Sequence, residues 1–344
     1  MKELDFSTLQ SLPKVELHLH LDCSLSYQVV RKLRPNISET TYQEMFIVPP
    51  KCKNLADFLK CTISGIELMQ TPEELQSVVA DLFDQLKKEN VIYAEIRFAP
   101  LQHLNKGLTV EQVIETVCES VSLQSRNTGI DAGVILCTLR HFSEKESMQT
   151  IELIDRYKNN LNIVGFDIAA DEAGFPVDAH KAAFNYAKEK GILRTAHAGE
   201  AKGPESVWET LTFFEPQRIG HGVRSIEDRK LIEHLIQNKI HLEICPTCNI
   251  QTDIYPSFAD HPINELFSQS VSLGVNTDAR SLVNVSLTDE YLKLHQNFNW
   301  GYNHFFQCNM NAVDAAFVNE QGKDRLRNKL VAGYKDIGGK TQKG

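Results

Sequence analysis

Eight short apolar runs rich in β-branched and aromatic residues recur along this chain, with patterned helical segments between them. They fall at 14–21, 91–99, 132–139, 163–169, 193–197, 218–222, 240–245 and 271–277. Near-continuously apolar strands that alternate with helices call for a parallel sheet covered by helices. Eight such units predict a (β/α)8 barrel. A doubly wound open sheet is the runner-up, but no glycine-rich dinucleotide fingerprint follows the first run to favour it.

The helices carry their own start signals. Thr71-Pro72-Glu73-Glu74 offers a cap residue, a proline in the first turn and an acid at the third position, the pattern of a capping box. Thr109 with Gln112 and Ser143 with Glu146 repeat it, Ser225 before Glu227 and Asp228 predicts another helix start, and Gly191 predicts a helix stop. The connection from Cys23 to Asn90 is long for one strand-to-helix link, and its apolar turn at 55–59 is a candidate cover for a pocket mouth at the C-terminal face. With no internal repeat or low-complexity linker, one domain is expected over 1–337, followed by a disordered tail at 338–344.

The composition excludes several partners. A net charge of −9 is wrong for a nucleic-acid backbone, which calls for a basic patch. No run approaches membrane-spanning length, and Met1-Lys2-Glu3-Leu4-Asp5 lacks a signal peptide's apolar region, so a cytoplasmic protein is expected. The eight cysteines are scattered, as reduced thiols would be. Only Cys245-Pro-Thr-Cys248 has metal-knuckle spacing, and it lacks the second pair that a zinc ribbon needs.

In a barrel, reactive side chains gather where strands end. The first run ends in His18, His20 and Asp22, the fifth in His197-Ala198-Gly199-Glu200, the sixth in Gly220-His221-Gly222 and the eighth in Asn276-Thr277-Asp278. His18 and His20 are two residues apart and so share one strand face. Alone they read equally well as core histidines or as half a metal site. With His197 and Asp278 they offer three imidazole nitrogens and a carboxylate, a set that suits zinc with a water completing the shell. Glu200, three residues past His197, is placed to carry a proton, and His221 to orient the water or accept from it.

The segments Ser11-Leu12-Pro13-Lys14-Val15-Glu16-Leu17-His18-Leu19-His20-Leu21-Asp22, Thr195-Ala196-His197-Ala198-Gly199-Glu200, Arg218-Ile219-Gly220-His221-Gly222, His241-Leu242-Glu243-Ile244-Cys245-Pro246 and Asn276-Thr277-Asp278 together resemble the motifs of adenosine deaminases, in that family's order and across nearly the whole chain. The resemblance implies a barrel holding one zinc ion on His18, His20, His197 and Asp278. It implies hydrolytic deamination of adenosine and 2′-deoxyadenosine to inosine, with ammonia released. Glu200 would protonate purine N1 while zinc-activated hydroxide, positioned by His221 and Asp278, attacks C6. By the same resemblance Asp22 contacts the ribose, and the backbone N–H of Ala170 meets the purine ring. His20 lies close enough to count among the substrate contacts.

Three residues depart from the family pattern. Ala279 stands where a second aspartate contacts purine N7, while Ala170 and Cys23 each replace a glycine. Arg280, next to Ala279, is a candidate substrate contact, and it keeps open an adenine nucleoside modified at its 5′ end, such as aminodeoxyfutalosine. A different metal hydrolase on the same barrel is the other alternative. Two-metal enzymes of that kind use a lysine on the fourth strand, and the run 163–169 has none.

Overall fold

The computed structural model describes residues 4–341, with side chains to Lys335. Eight strands follow in order: β1 (Lys14–His20), β2 (Val91–Phe98), β3 (Asp131–Leu139), β4 (Ile163–Ala169), β5 (Thr195–Ala198), β6 (Arg218–His221), β7 (His241–Ile244) and β8 (Leu273–Val275). Each pairs in parallel with the next within β1–β4 and within β5–β8. Two backbone joins close the ring into a (β/α)8 barrel. Phe166 N–H donates to Leu193 C=O at 3.0 Å between β4 and the approach to β5. At the other join Asp278 N–H donates to His18 C=O at 3.0 Å, and His20 N–H donates to Asp278 C=O at 2.7 Å. The barrel therefore closes at the residues that the sequence marks as reactive.

Local chemistry explains the helix starts. Capping boxes form at Thr71 with Glu74, Thr109 with Gln112 and Ser143 with Glu146, each satisfying orphan N–H groups of the first turn. Gly191 sits at φ +63° just past the helix Lys181–Glu189, as a helix stop requires. Ser225 does not start a helix. Gly222 ends β6 at φ +66° and leads into a short 3-10 turn over Val223–Glu227. Asp228 then caps the helix Arg229–Gln237 by accepting from Lys230 N–H at 2.8 Å.

Along the strands, residue parity separates two environments. Leu17, Leu19, Ile96, Phe98, Phe166 and Ile168 pack into the main apolar core with the helices. Between them stand Glu95, Arg97, Asp167, Arg218 and Glu243, all fully buried. A buried charge is tolerable only when paired. Arg97 meets Asp167 at 2.8 Å and Glu243 at 2.7 Å, while Arg218 meets Glu95 and Glu243 at 2.6 Å each.

The segment after β1 forms the helices Tyr27–Leu33, Glu39–Phe46, Leu55–Lys60 and Ile63–Ile66. A Cβ on Gly65 would meet the carbonyl oxygen of Asp22 at 2.4 Å. The turn at 63–66 can thus lie directly on the end of β1 only because position 65 has no side chain. The last helix, Glu320–Thr341, runs through the first residues of the expected tail, and 342–344 lie outside the described residues.

Candidate active site

A cavity of about 330 Å³ opens at the C-terminal mouth of the barrel. The ends of β1, β3 and β4 supply His20, Asp22, Leu139 and Ala170 to its wall, and the covering helix Leu55–Lys60 supplies Ala56 and Leu59. The expected cover over the mouth is therefore in place.

At the cavity floor the strand ends converge. His20 Nε2 lies 3.2 Å from His197 Nε2 and 3.3 Å from Asp278 Oδ1. His18 Nε2 lies 3.1 Å from the same oxygen. Ligand atoms of His18, His197, His221 and Asp278 all fall within 4.8 Å of one another. Tight strand-end turns make this possible: Ala170, His221 and Asp278 take φ of +80°, +60° and +63°, and Gly199 takes +67°. Left-handed backbone at non-glycine residues is strained and gathers at functional sites.

The imidazoles are oriented from behind. His18 Nδ1 faces Glu243 Oε2 at 2.8 Å, and His197 Nδ1 faces Asp167 Oδ2 at 3.1 Å. Both carboxylates are in turn held by Arg97. An ionised carboxylate only accepts, so each Nδ1 donates outward and each ring turns its Nε2 inward. His197 Nε2 thus faces His20 Nε2 at 3.2 Å, and His18 Nε2 faces the Asp278 carboxylate at 3.1 Å. This crowding of nitrogen and oxygen donors fits a divalent metal.

Glu200 stands beside this cluster, its Oε2 3.6 Å from His221 Nε2. Burial pushes its carboxyl well above the usual range, and the negative charges of Asp278 and Glu172 push the same way. Both effects favour the protonated carboxyl, the form a general acid needs. Burial holds His221 well below the usual imidazole range, so the ring is neutral.

A chain of hydrogen bonds fixes which nitrogen of His221 carries its proton. Ile263 N–H donates to His261 Nδ1 at 3.2 Å, so the His261 proton is on Nε2, which donates to Asn249 Oδ1 at 3.3 Å. The Asn249 amide then donates to His221 Nδ1 at 3.1 Å. This leaves Nε2–H of His221 facing Glu200 and Asp278.

Asp22 is buried, and burial raises its carboxyl to about 6. Among the described residues its buried Oδ1 has no hydrogen-bond partner, and the residue lines the cavity. Ala170 also lines the cavity. An alanine at φ +80° costs about 1–2 kcal/mol, whereas glycine at a compatible site gives back about 0.4–1 kcal/mol through the unfolded chain. Ala170→Gly is therefore expected to stabilise the fold by about 0.5–1 kcal/mol, read as a higher denaturant midpoint. An unchanged or lower midpoint would mean that the turn is unstrained.

Arg280 does not reach the cavity, contrary to the sequence expectation. The turn after Asp278 sends it to the outer side of β1, where it is buried against Glu89 at 2.6 Å and Glu16 at 3.3 Å. Ala279 is likewise buried, in a small apolar cluster with Cys245, Cys248 and Leu282. Both cysteines of the Cys245–Cys248 pair are free. Sequence reasoning assigned no role to Asp167, Glu243, Glu172 or Asn249. The first two carried a signal, since each is a lone acid within an apolar strand.

The adenosine deaminase family model matches residues 13–333. This chain belongs to the adenosine deaminase family. It is accordingly an enzyme, a hydrolytic deaminase of a metal-dependent family. The adenosine deaminase of Clostridium acetobutylicum is 34% identical over 327 residues, covering 93% of this chain and 97% of that one. Among solved structures, an amidohydrolase from Burkholderia ambifaria with bound zinc has a TM-score of 0.90 at 18% identity, covering 100% of this chain and 96% of that one. The N6-methyl-AMP deaminase from Arabidopsis thaliana has a TM-score of 0.83 at 23% identity, covering 95% and 98%. At such identities these two share the barrel fold with this family member. Among the described residues no helix is long and apolar enough to cross a membrane.

Proposed function

We propose that this family member is a cytoplasmic, zinc-dependent deaminase of adenosine and 2′-deoxyadenosine, with one zinc ion held by His18, His20, His197 and Asp278. The observation that carries this reading is the convergence of those four side chains beside the buried Glu200, whose burial favours the protonated carboxyl. When bound, zinc acts as a Lewis acid that makes a water ionise near neutral pH.

The chain's own residues do the rest. Asp22 Oδ1 accepts a ribose hydroxyl, and Ala170 N–H donates to the purine ring, so that C6 faces the His18–Asp278 cluster. Glu200 gives its proton to N1 as the hydroxide oxygen adds at C6, which turns the ring toward a tetrahedral centre without a buildup of negative charge. His221 Nε2–H and the Asp278 carboxylate hold the attacking oxygen on its line of approach. The proton released when the water ionises goes to the 6-amino group, the C6–N6 bond breaks with its electron pair leaving on ammonia, and the C6 hydroxyl proton returns to Glu200 as the 6-oxopurine forms. Water and adenosine in, inosine and ammonia out, the atoms balance. Ala279 offers purine N7 no hydrogen bond, so ring recognition falls on Glu200 and the Ala170 backbone.

The cavity favours a nucleoside over a nucleotide. Its size suits a small ligand, and Asp22 adds to its wall a carboxyl that a phosphate would not favour. Lys60, the lysine in its wall, is already paired with Asp57 at 2.8 Å. Arg280, the reason to consider an extended 5′ group, is engaged elsewhere. Side-by-side rates on adenosine, 2′-deoxyadenosine, AMP and adenine test this. Like charges brought together cost several kcal/mol, so kcat/KM for adenosine is expected to exceed that for AMP by about 10²-fold or more. Equal or faster turnover of AMP would overturn the nucleoside assignment.

A further inference from the structure

Glu172, at the end of β4, makes the densest set of hydrogen bonds near the site, yet it touches none of the converging metal donors. Its Oε1 accepts from Gly199 N–H at 2.7 Å and from the Ser206 hydroxyl at 2.5 Å. Its Oε2 accepts from the N–H groups of Glu200 at 3.0 Å, Ala201 at 2.6 Å and Lys202 at 3.0 Å. Four consecutive backbone N–H groups thus converge on one buried carboxylate, an anion nest occupied by a side chain of the protein itself. Five donors take up all the acceptor capacity that two carboxylate oxygens offer.

The nest is the segment that carries Glu200. Gly199, at φ +67°, turns the chain sharply out of β5, and a Cβ there would meet Val207 Cγ2 at 2.5 Å. Past that turn no strand partner holds residues 200–202, and the helix Pro204–Phe214 begins only after Gly203. In between, the Glu172 carboxylate holds the N–H groups of 199–202, while Arg224 holds two carbonyls from the other side, Gly199 C=O at 3.0 Å and Ala201 C=O at 3.2 Å. The Glu200 side chain is then held by two long contacts, 3.5 Å to Asn249 and 3.6 Å to His221. Its aim therefore depends on where its own backbone is pinned.

We infer that Glu172 is a positioning residue for the proton transfer: it holds the Glu200 backbone so that the carboxyl faces the reacting ring. This rests on Glu200 being the proton donor, as proposed above. Glu172→Gln keeps the side-chain shape but presents an amide NH2 to backbone donors, which leaves some of them unpaired. Misplacement of a catalytic group by about 1 Å costs on the order of 10²-fold in rate.

The test is a double-mutant cycle of wild type, Glu172→Gln, Glu200→Gln and the double variant on adenosine, with metal content and melting temperature measured for each. Glu172→Gln is expected to lose about 10²-fold in kcat, with KM within about threefold and full metal content. In the Glu200→Gln background the same change should cost less than about threefold, because the group it positions is already disabled. Losses that multiply, or a Glu172→Gln enzyme as fast as wild type, would overturn the inference. Should Glu172→Gln fail to fold, Ser206→Ala removes one donor only. It should lower kcat by a smaller factor that also vanishes in the Glu200→Gln background, and no such loss would overturn the inference. A fully active Glu200→Gln enzyme would identify itself separately, by overturning the proton-donor reading and this inference with it.

Discussion

Glu200→Gln is expected to lower kcat on adenosine by about 10²–10⁴-fold, the range typical of general acid catalysis. Glutamine fills the same volume and keeps an oxygen near Asn249 Nδ2, so the cavity and its neighbours have no reason to move. What disappears is the carboxyl proton that burial and the charges of Asp278 and Glu172 favour. KM should change little, since the ribose and ring contacts remain. Metal content should not change, because Glu200 lies outside the group of converging donors. Steady-state kinetics with metal analysis on the same sample check this, and a variant within a few-fold of wild-type kcat would remove Glu200 from the chemistry.

The second large effect is expected at Asp278. Its carboxylate faces His18 at 3.1 Å, His20 at 3.3 Å and His221 at 4.0 Å, while its backbone closes β8 onto β1. Asparagine is the informative replacement. It takes up φ of +63° with less strain than alanine would, so barrel closure is kept while the negative charge is lost. Without that charge three imidazoles remain to hold the cation and the attacking oxygen loses a partner. Outer hydrogen-bond partners of metal ligands cost about 10–100-fold in metal affinity or activity. A direct donor should cost more in both, measured by zinc titration against a chelator and by kcat/KM at saturating zinc. Full metal affinity in Asp278→Asn would exclude the carboxylate from the metal shell.

The sequence was most legible where the information is local or periodic. Eight apolar runs with capping signals between them specify the barrel, because strand burial and helix capping are set by neighbours a few residues apart. The histidines and Glu200 were legible as chemistry at strand ends, a place that the barrel itself makes significant. What stayed hidden depends on contacts between distant residues. Glu172 reaches 27 to 34 positions along the chain to residues 199–206, and nothing in its own neighbourhood signals a nest. Arg280 read as a substrate contact from its place beside Asp278. Yet the left-handed turn at Asp278 swings the next residues outward, where Glu89, 191 positions earlier, was waiting to pair with it. Asp167 and Glu243 were visible as acids in apolar strands, but their partners Arg97, His18 and His197 come from three other strands.

Zinc-loaded protein is expected to deaminate adenosine hydrolytically at the cluster in the barrel mouth. Inosine and ammonia measured together in one reaction check this. One inosine and one ammonia should appear for each adenosine consumed, with activity lost on chelation and restored by zinc. No turnover of adenosine or 2′-deoxyadenosine by protein that carries a full complement of zinc would contradict it.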